Sequence, residues 1–284
     1  MENHYRGRFA PSPTGPLHMG SLVAAVASYL DAKANEGAWL VRIDDIDPPR
    51  EVAGAKALIL ETLHAHGMSG DEELILQSSH HAAYETALER LWQQGLLFVC
   101  SCTRATLGPT GCCVQDCRDQ ARPQTVEGSL RIHVPTGTHI EFTDLVLGPQ
   151  NVDLASQLSN FIVRRRDGLY AYQLAAAVDD FSPHITHVIR GADLLESTPR
   201  QMFLRRMLAL PDPLYGHTPV LTDALGTKLS KQTGAAPVNN RLALDNLRFA
   251  LTFLGQPKPD SHVSNVPDLL RSAVANWRRA CLPK

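Results

Sequence analysis

The sequence predicts an α/β fold, and three observations carry that reading. Its start alternates short strand-type runs with helix-type periodicity, and the return from the first helix to the next strand needs almost no linker. The alternation resumes near residue 161, after a stretch of different character between residues 100 and 150. That middle stretch is rich in turn residues and cysteine, and it reads as an inserted small α+β unit.

Residues 6–10 read as a short strand running into Pro11-Ser12-Pro13-Thr14-Gly15-Pro16, too rich in proline for a helix or a central strand and therefore a loop. From Gly20 the apolar residues Leu22, Val23, Val26, Tyr29 and Leu30 recur at three- and four-residue spacing until Gly37 stops the helix. Residues 38–43 form the next strand, and strand-helix-strand with so short a return is the βαβ unit of a parallel sheet. Helical spacing follows over 51–66 and 80–95, then a brief apolar strand over 97–100. Residues 129–134 and 139–147 are expected to pair with each other as strands. The main sheet is expected to resume with 161–166, a turn at Asp167-Gly168 and a strand over 184–190. A helix over 198–210, a loop over 225–236 and a last amphipathic helix over 241–255 complete the pattern, and the remainder reads as short and polar.

Composition excludes several classes. Of 284 residues 44% are hydrophobic and 20% charged, with no run of 18 apolar residues and no charged-then-apolar leader, so neither a membrane span nor secretion is expected. Lys plus Arg number 27 against 29 acids, a formal charge of -2, so any RNA partner must be met by a local basic patch. Arg164-Arg165-Arg166, Arg205-Arg206 and Arg278-Arg279 are the candidate steps. Five of the six cysteines, Cys100, Cys102, Cys112, Cys113 and Cys117, fall together while Cys281 stands alone, which suggests one local task in a reducing cytoplasm rather than a disulfide framework.

Two distant stretches carry chemistry. At His18-Met19-Gly20-Ser21 a strand has ended, a Pro/Gly loop has turned, and a helix begins. Its first amides and dipole favour an anion, Gly20 permits close backbone approach, and His18 can donate to a phosphate oxygen, so a nucleoside triphosphate is the expected ligand. Lys228-Leu229-Ser230-Lys231 lies between Gly226 and Gly234 in a loop of small and polar residues. Ammonium groups on such a loop can neutralise a departing pyrophosphate as charge develops. Separately, Cys100-x-Cys102-x10-Cys113-x3-Cys117 offers four soft ligands with the short spacings of tetrahedral structural zinc, with Cys112 as rival third ligand.

These stretches resemble the class I aminoacyl-tRNA synthetases, with His18-Met19-Gly20-Ser21 in place of His-Ile-Gly-His and Lys228-Leu229-Ser230-Lys231-Gln232 in place of Lys-Met-Ser-Lys-Ser. The text beginning at Arg8 and running to Gly15, that from Arg42 to Asp47, Tyr172-Gln173 before Val178-Asp179-Asp180, and Val188 to Asp193 narrow the likeness to the glutamyl branch. Only about 45 residues follow the lysine loop, too few for the helical anticodon-binding domain of that branch. A glutamyl-type core of this length with cysteines in its insert resembles the glutamyl-Q tRNA(Asp) synthetase family.

The resemblance implies a class I Rossmann-type parallel sheet with an inserted zinc-bearing α+β acceptor-like subdomain. It divides the chain into a first catalytic half (1–98), the insert (99–155), a second catalytic half with the lysine loop (156–240) and a short C-terminal helical segment (241–284). It implies ATP with magnesium as co-substrate, one structural zinc, activation of L-glutamate, and transfer to the queuosine base at the wobble position of tRNA(Asp). A cytoplasmic monomer is expected. His18, Lys228 and Lys231 take the catalytic roles, and His18, Gly20, Ser21 and Lys231 hold ATP. Arg8, Phe9, Ala10, Pro11, Ser12, Asp44, Tyr172 and Arg190 hold glutamate, which needs cationic forks for two carboxylates and an acceptor for its amine. Asp44 stands where the family usually has glutamate, a carboxylate arm shorter by one methylene. In the family the third zinc ligand is commonly tyrosine, where Cys113 stands here. The alternatives are a truncated enzyme charging the 3′ end of tRNA(Glu), and a non-catalytic zinc-bearing RNA-binding module.

Overall fold

The structure, a computed structural model, describes residues 4–107, 113, 117–119, 127–222, 236–260 and 262–284. Strand β1 (Arg6–Phe9) is followed by helix α1 (Met19–Ala34) and strand β2 (Ala38–Ile43), and β1 and β2 pair in parallel. Helix α2 (Ala55–Ala65) leads to β3 (Ile75–Leu76), which pairs in parallel on the far edge of β2. Every residue of β2 after Ala38 is buried, as a central parallel strand covered on both faces requires. Helix α3 (His81–Gln93) then delivers β4 (Leu97–Cys100) and the short α4 (Arg104–Leu107).

Next along the chain come β5 (Ser129–Ile132), β6 (His139–Asp144), β7 (Gly148–Asp153), the short α5 (Leu154–Gln157) and β8 (Phe161–Arg164). Two expectations are corrected here. Residues 129–134 and 139–147 do not pair with each other: β5 lies antiparallel between β4 and β8, whereas β6 turns back on β7. β8 therefore belongs to this antiparallel sheet and not to the main one. The cause is the turn at Gly148, whose positive φ of 83° closes a hairpin that satisfies β6 locally, so β5 must find its partners elsewhere.

Helix α6 (Tyr172–Asp179) leads into β9 (His187–Gly191), helix α7 (Ser197–Met207) and β10 (Leu214–Thr218), which pairs in parallel with β9. The Thr186 N–H donates to the Arg6 carbonyl at 3.0 Å and sets β9 beside β1. The connection from β1 thus runs one way through α1 to β2, while β9 lies on the other side. That is a switch point, and ligands of open parallel sheets bind outside the strand ends at such a point.

The C-terminal remainder is not the short polar tail expected. After α8 (Ala243–Phe253) the chain forms α9 (Val266–Asn276), whose Leu269, Leu270 and Ala273 are buried in the same core as α1. The segment is clamped by the buried Asp31 carboxylate, which accepts from Trp277 Nε1 at 2.9 Å and Arg279 Nη2 at 2.8 Å. Polar residues outnumber apolar ones along 256–284, and that masked the single buried stripe. No helix among the described residues is long and apolar enough to cross a membrane.

Candidate active site

A cavity of about 430 Å³ opens at the switch point. The loop after β1 lines it with Phe9, Ala10, Pro11 and Ser12, the start of α1 with His18, Gly20 and Ser21, and the strand ends with Arg8 and Arg190. Tyr172, at the start of α6, also stands on its wall. His18 caps α1: its Nδ1 accepts from the Ser21 N–H at 3.3 Å, and its Nε2 lies 3.0 Å from Ser21 Oγ.

Lys228 and Lys231, with the 225–236 loop except Ala236, lie outside the described residues. The flanks of that segment are described. Leu221 lines the cavity beside Pro219 and Val220. On the return, Pro237 bridges to His18 and the Val238 N–H donates to the Leu17 carbonyl at 2.9 Å.

Arg190 is 5% exposed and has no ion-pair partner among the described residues. Its donors go to neutral acceptors: Nε to His217 Nε2 at 3.1 Å, Nη1 to Gln201 Oε1 at 2.9 Å and Nη2 to Thr198 Oγ1 at 2.7 Å. Two longer contacts of 3.4 Å reach Tyr172 Oη and the Leu194 carbonyl, both on the cavity wall. The guanidinium also lies over the Tyr215 ring at 5.2 Å. A buried cation surrounded by dipoles and a ring is oriented without being neutralised, so it favours an anionic ligand.

Arg8 is held differently. Its Nε and Nη2 donate to Asp180 at 3.1 and 3.2 Å, and Asp180 Oδ1 also accepts from Arg42 Nη1 at 2.6 Å. Burial alone would raise the Asp180 pKa, but Arg8 and Arg42 pull it well below the usual carboxylate range. Neighbouring Asp179 accepts from Gln77 Nε2, Tyr84 Oη and His80 Nδ1, so the Asp-Asp pair at the end of α6 anchors three elements at once.

The structure does not bring Asp44 onto the cavity wall. Its carboxylate is tied to Arg42 Nε at 2.7 Å, behind Pro11, whose carbonyl accepts from the Asp44 N–H at 3.0 Å. Burial outweighs Arg42 and raises its pKa. The carboxylate that does line the cavity among the described residues is Asp193. In the sequence Asp193 closes the Val188-to-Asp193 stretch and has no role assigned to it. Its signal was position, three residues past Arg190 where β9 ends.

The sulfurs of Cys100, Cys102, Cys113 and Cys117 all lie within 4.8 Å of one another, and Cys102 stands 3.5 Å from Cys113 and 3.6 Å from Cys117. Four thiolates on a tetrahedral zinc stand about 3.8 Å apart, so the donor set fits the ion in number, chemistry and spacing. Cys112 lies outside the described residues. The basic steps are largely engaged: Arg164 with Glu85, Arg165 with Asp47 and Asp167, Arg166 with the Ser101 carbonyl, Arg205 with the Pro211 carbonyl, Arg206 with Asp212 and Arg279 with Asp31.

A family model described as "tRNA synthetases class I (E and Q), catalytic domain" matches residues 4–254. A glutamyl-Q tRNA(Asp) synthetase of Pseudomonas fluorescens is 45% identical over 282 residues, covering 99% of this chain and 94% of its own. One of Burkholderia cenocepacia is 46% identical over 296 residues, covering 100% and 99%. Among solved structures, a glutamate tRNA ligase from Elizabethkingia meningosepticum in complex with its amino acid superposes with a TM-score of 0.83 at 24% identity. That match covers 98% of this chain, which spans 65% of the ligase's length, and it establishes the shared fold. The switch-point cavity, the histidine turn and the four-cysteine cluster thus sit in a chain that belongs to the glutamyl-Q tRNA(Asp) synthetases, within the class I catalytic-domain family.

Proposed function

We propose that the chain activates L-glutamate with ATP and transfers it to the queuosine base at the wobble position of tRNA(Asp). The observation that carries this reading is Arg190, a buried cation on the cavity wall whose hydrogen-bond acceptors among the described residues are all neutral. A glutamate carboxylate displaces its two 3.4 Å contacts and supplies the missing charge. Glutamine offers no charge there, so the site discriminates against it. Arg8 faces the second carboxylate, with Ser12 and the backbone of residues 9–12 beside it. The ammonium group is received by Asp193, and Asp44 acts from behind the wall through Arg42.

The glutamate carboxylate attacks the α-phosphorus of ATP in line, the bond to the bridging oxygen breaks, and pyrophosphate leaves with the electron pair. No general base is needed, because the nucleophile is already ionised. His18, with Gly20 and Ser21 at the start of α1, holds the phosphates, Lys231 stabilises the charge that develops on them and Lys228 assists; magnesium accompanies the ATP. A hydroxyl of the modified base then attacks the mixed anhydride, releasing AMP. Cys100, Cys102, Cys113 and Cys117 would hold one zinc, which supplies a structural cross-link. In this reading residues 1–98 and 156–240 are the catalytic halves, 99–155 the insert rooted by β4 and β8, and 241–284 the C-terminal helical segment. The chain acts as a monomer in the cytoplasm, where ATP and tRNA meet.

The test is ATP–pyrophosphate exchange across amino acids, expected with glutamate and absent with glutamine and aspartate. It is followed by transfer to a 3′-truncated tRNA(Asp) bearing queuosine. Acceptance by the intact 3′ end of tRNA(Glu) with none by the truncated substrate would overturn the wobble-base assignment.

A further inference from the structure

Beneath Arg190 lies His217, wholly buried on β10. Its Nδ1 stands 2.6 Å from Asp144 Oδ2, and its Nε2 stands 3.1 Å from Arg190 Nε. A carboxylate only accepts, and an arginine Nε–H only donates. Both demands are met by one state of the ring, the neutral imidazole carrying its hydrogen on Nδ1. Thr198 Oγ1 lies 3.1 Å from the same Nε2 and accepts from Arg190 Nη2, so the acceptor face is shared by a hydroxyl and a guanidinium.

Asp144 is itself held in one orientation. Its Oδ1 accepts from the backbone N–H groups of Val146 and Leu147, each at 2.9 Å, and of His217 at 3.2 Å, which leaves Oδ2 for the imidazole. Asp144 is the last residue of β6, and the next N–H along, that of Leu145, donates to the Tyr215 carbonyl of β10 at 2.8 Å. The hairpin β6–β7 therefore reaches across to the parallel strands and places a carboxylate two hydrogen bonds away from the cavity arginine, with the His217 ring between them.

We infer that His217 is a positioning residue for Arg190, and that Asp144, supplied by the hairpin, sets its tautomer so that the guanidinium is aimed into the amino-acid pocket. The inference rests on the reading of Arg190 as a ligand for a glutamate carboxylate. A neutral acceptor suits this role, because it orients the cation and leaves its charge for the substrate. A carboxylate in direct contact would neutralise Arg190 and compete with glutamate. The His-Asp arrangement resembles that of an acid-base pair, yet its acceptor nitrogen faces the Arg190 guanidinium, and the hydroxyl beside it, Thr198 Oγ1, is buried and accepts from that same guanidinium.

Asp144→Asn tests this at constant size. The three backbone amides keep Oδ1 as the acceptor, so the asparagine NH2 faces Nδ1. The ring must then carry its hydrogen on Nε2, opposite the Arg190 Nε–H. The expected result is a rise in the KM for glutamate of about tenfold or more, the scale of one lost hydrogen bond to a charged group, with the KM for ATP unchanged. Histidine side-chain 15N spectra should report Nδ1–H for His217 in the unaltered protein and Nε2–H in the variant. His217→Gln, which keeps an oxygen near the place of Nε2, should raise the KM for glutamate less than His217→Asn, which keeps only the Asp144 contact. In the His217→Gln background Asp144→Asn should add little. An Nε2–H tautomer in the unaltered protein, or an unchanged KM for glutamate in Asp144→Asn, would overturn the inference. Arg190→Ala separates the two claims. If it raises the KM for glutamate while Asp144→Asn does not, the positioning role fails alone; if it leaves that KM unchanged, the pocket reading fails and takes this inference with it.

Discussion

Asp180 Oδ1 is shared by two arginines, standing 3.1 Å from Arg8 Nε and 2.6 Å from Arg42 Nη1, with all three side chains buried. One carboxylate thus fixes a cavity residue from β1 and a core residue from β2. Asp180→Asn would leave two buried guanidinium groups facing a neutral amide. Removing one partner from a buried ionic network costs about 3 kcal/mol or more. Denaturant unfolding should show a lower midpoint at unchanged slope, and the KM for glutamate should rise with it; a midpoint equal to that of the unaltered protein would contradict this.

Asp193→Asn is expected to raise the KM for glutamate about tenfold through loss of an acceptor for the ammonium group. Asp44→Asn should act chiefly on stability, because its carboxylate is engaged by Arg42. Exchange kinetics set beside thermal unfolding separate the two, and the reverse pattern would return the ammonium contact to Asp44.

The C-terminal clamp predicts a stability effect where the sequence suggested RNA. Arg279 donates to Asp31 from both Nε at 3.0 Å and Nη2 at 2.8 Å. Arg279→Ala should destabilise the fold by about 1–2 kcal/mol, the range for hydrogen bonds to a charged group after partial exposure is discounted. The salt dependence of tRNA binding should stay the same. A flatter salt slope at unchanged Tm would assign Arg279 to the phosphate backbone instead.

Zinc content offers a direct measurement. Metal analysis of purified protein should give one zinc per chain, and Cys117→Ser should lower it. Chelation should weaken amide protection in β4 and β5, since Cys100 ends β4 opposite Ser129. Full protection after complete metal removal would mean that the cysteines do not staple the insert.

Acidification should lower stability between about pH 7 and 5. Burial depresses the pKa of His66, His133, His187 and His217 against opposing partners, Thr62, Asn160, Asp31 and Asp144 respectively. Each contributes stability that is complete above the unfolded value of about 6.5 and is lost as pH falls toward the depressed folded value. His80 acts in the opposite sense, because its bond to Asp179 raises its pKa, so its contribution is present at low pH and lost as pH rises. Four against one sets the direction of the histidine contribution. A Tm that climbs from pH 7 to 5 would sink this assignment.

The parallel βαβ start, the histidine turn and the cysteine cluster were legible from residue order because each is built from neighbours in the chain. Proline in 11–16, helical spacing after Gly20 and cysteine pairs two and four apart act locally, and local chemistry is what sequence reading detects. The pairing of β5 was not legible, since an apolar run does not state which partner edge it meets. Nor was α9, whose three buried residues sit among polar neighbours and matter only once α1 lies against them.

Residue order marked the fold class and the turn that lines the cavity, and the family resemblance pointed to Arg8 and Arg190, which both stand on the cavity wall. Tertiary structure alone decided what each of those arginines faces: Asp180 for one, neutral His217 for the other. It also withdrew Asp44 to Arg42 and put Asp193 on the wall. The reason is electrostatic. The charge a buried arginine offers a ligand depends on what surrounds it, and its surroundings here come from residues up to 172 positions away in the chain.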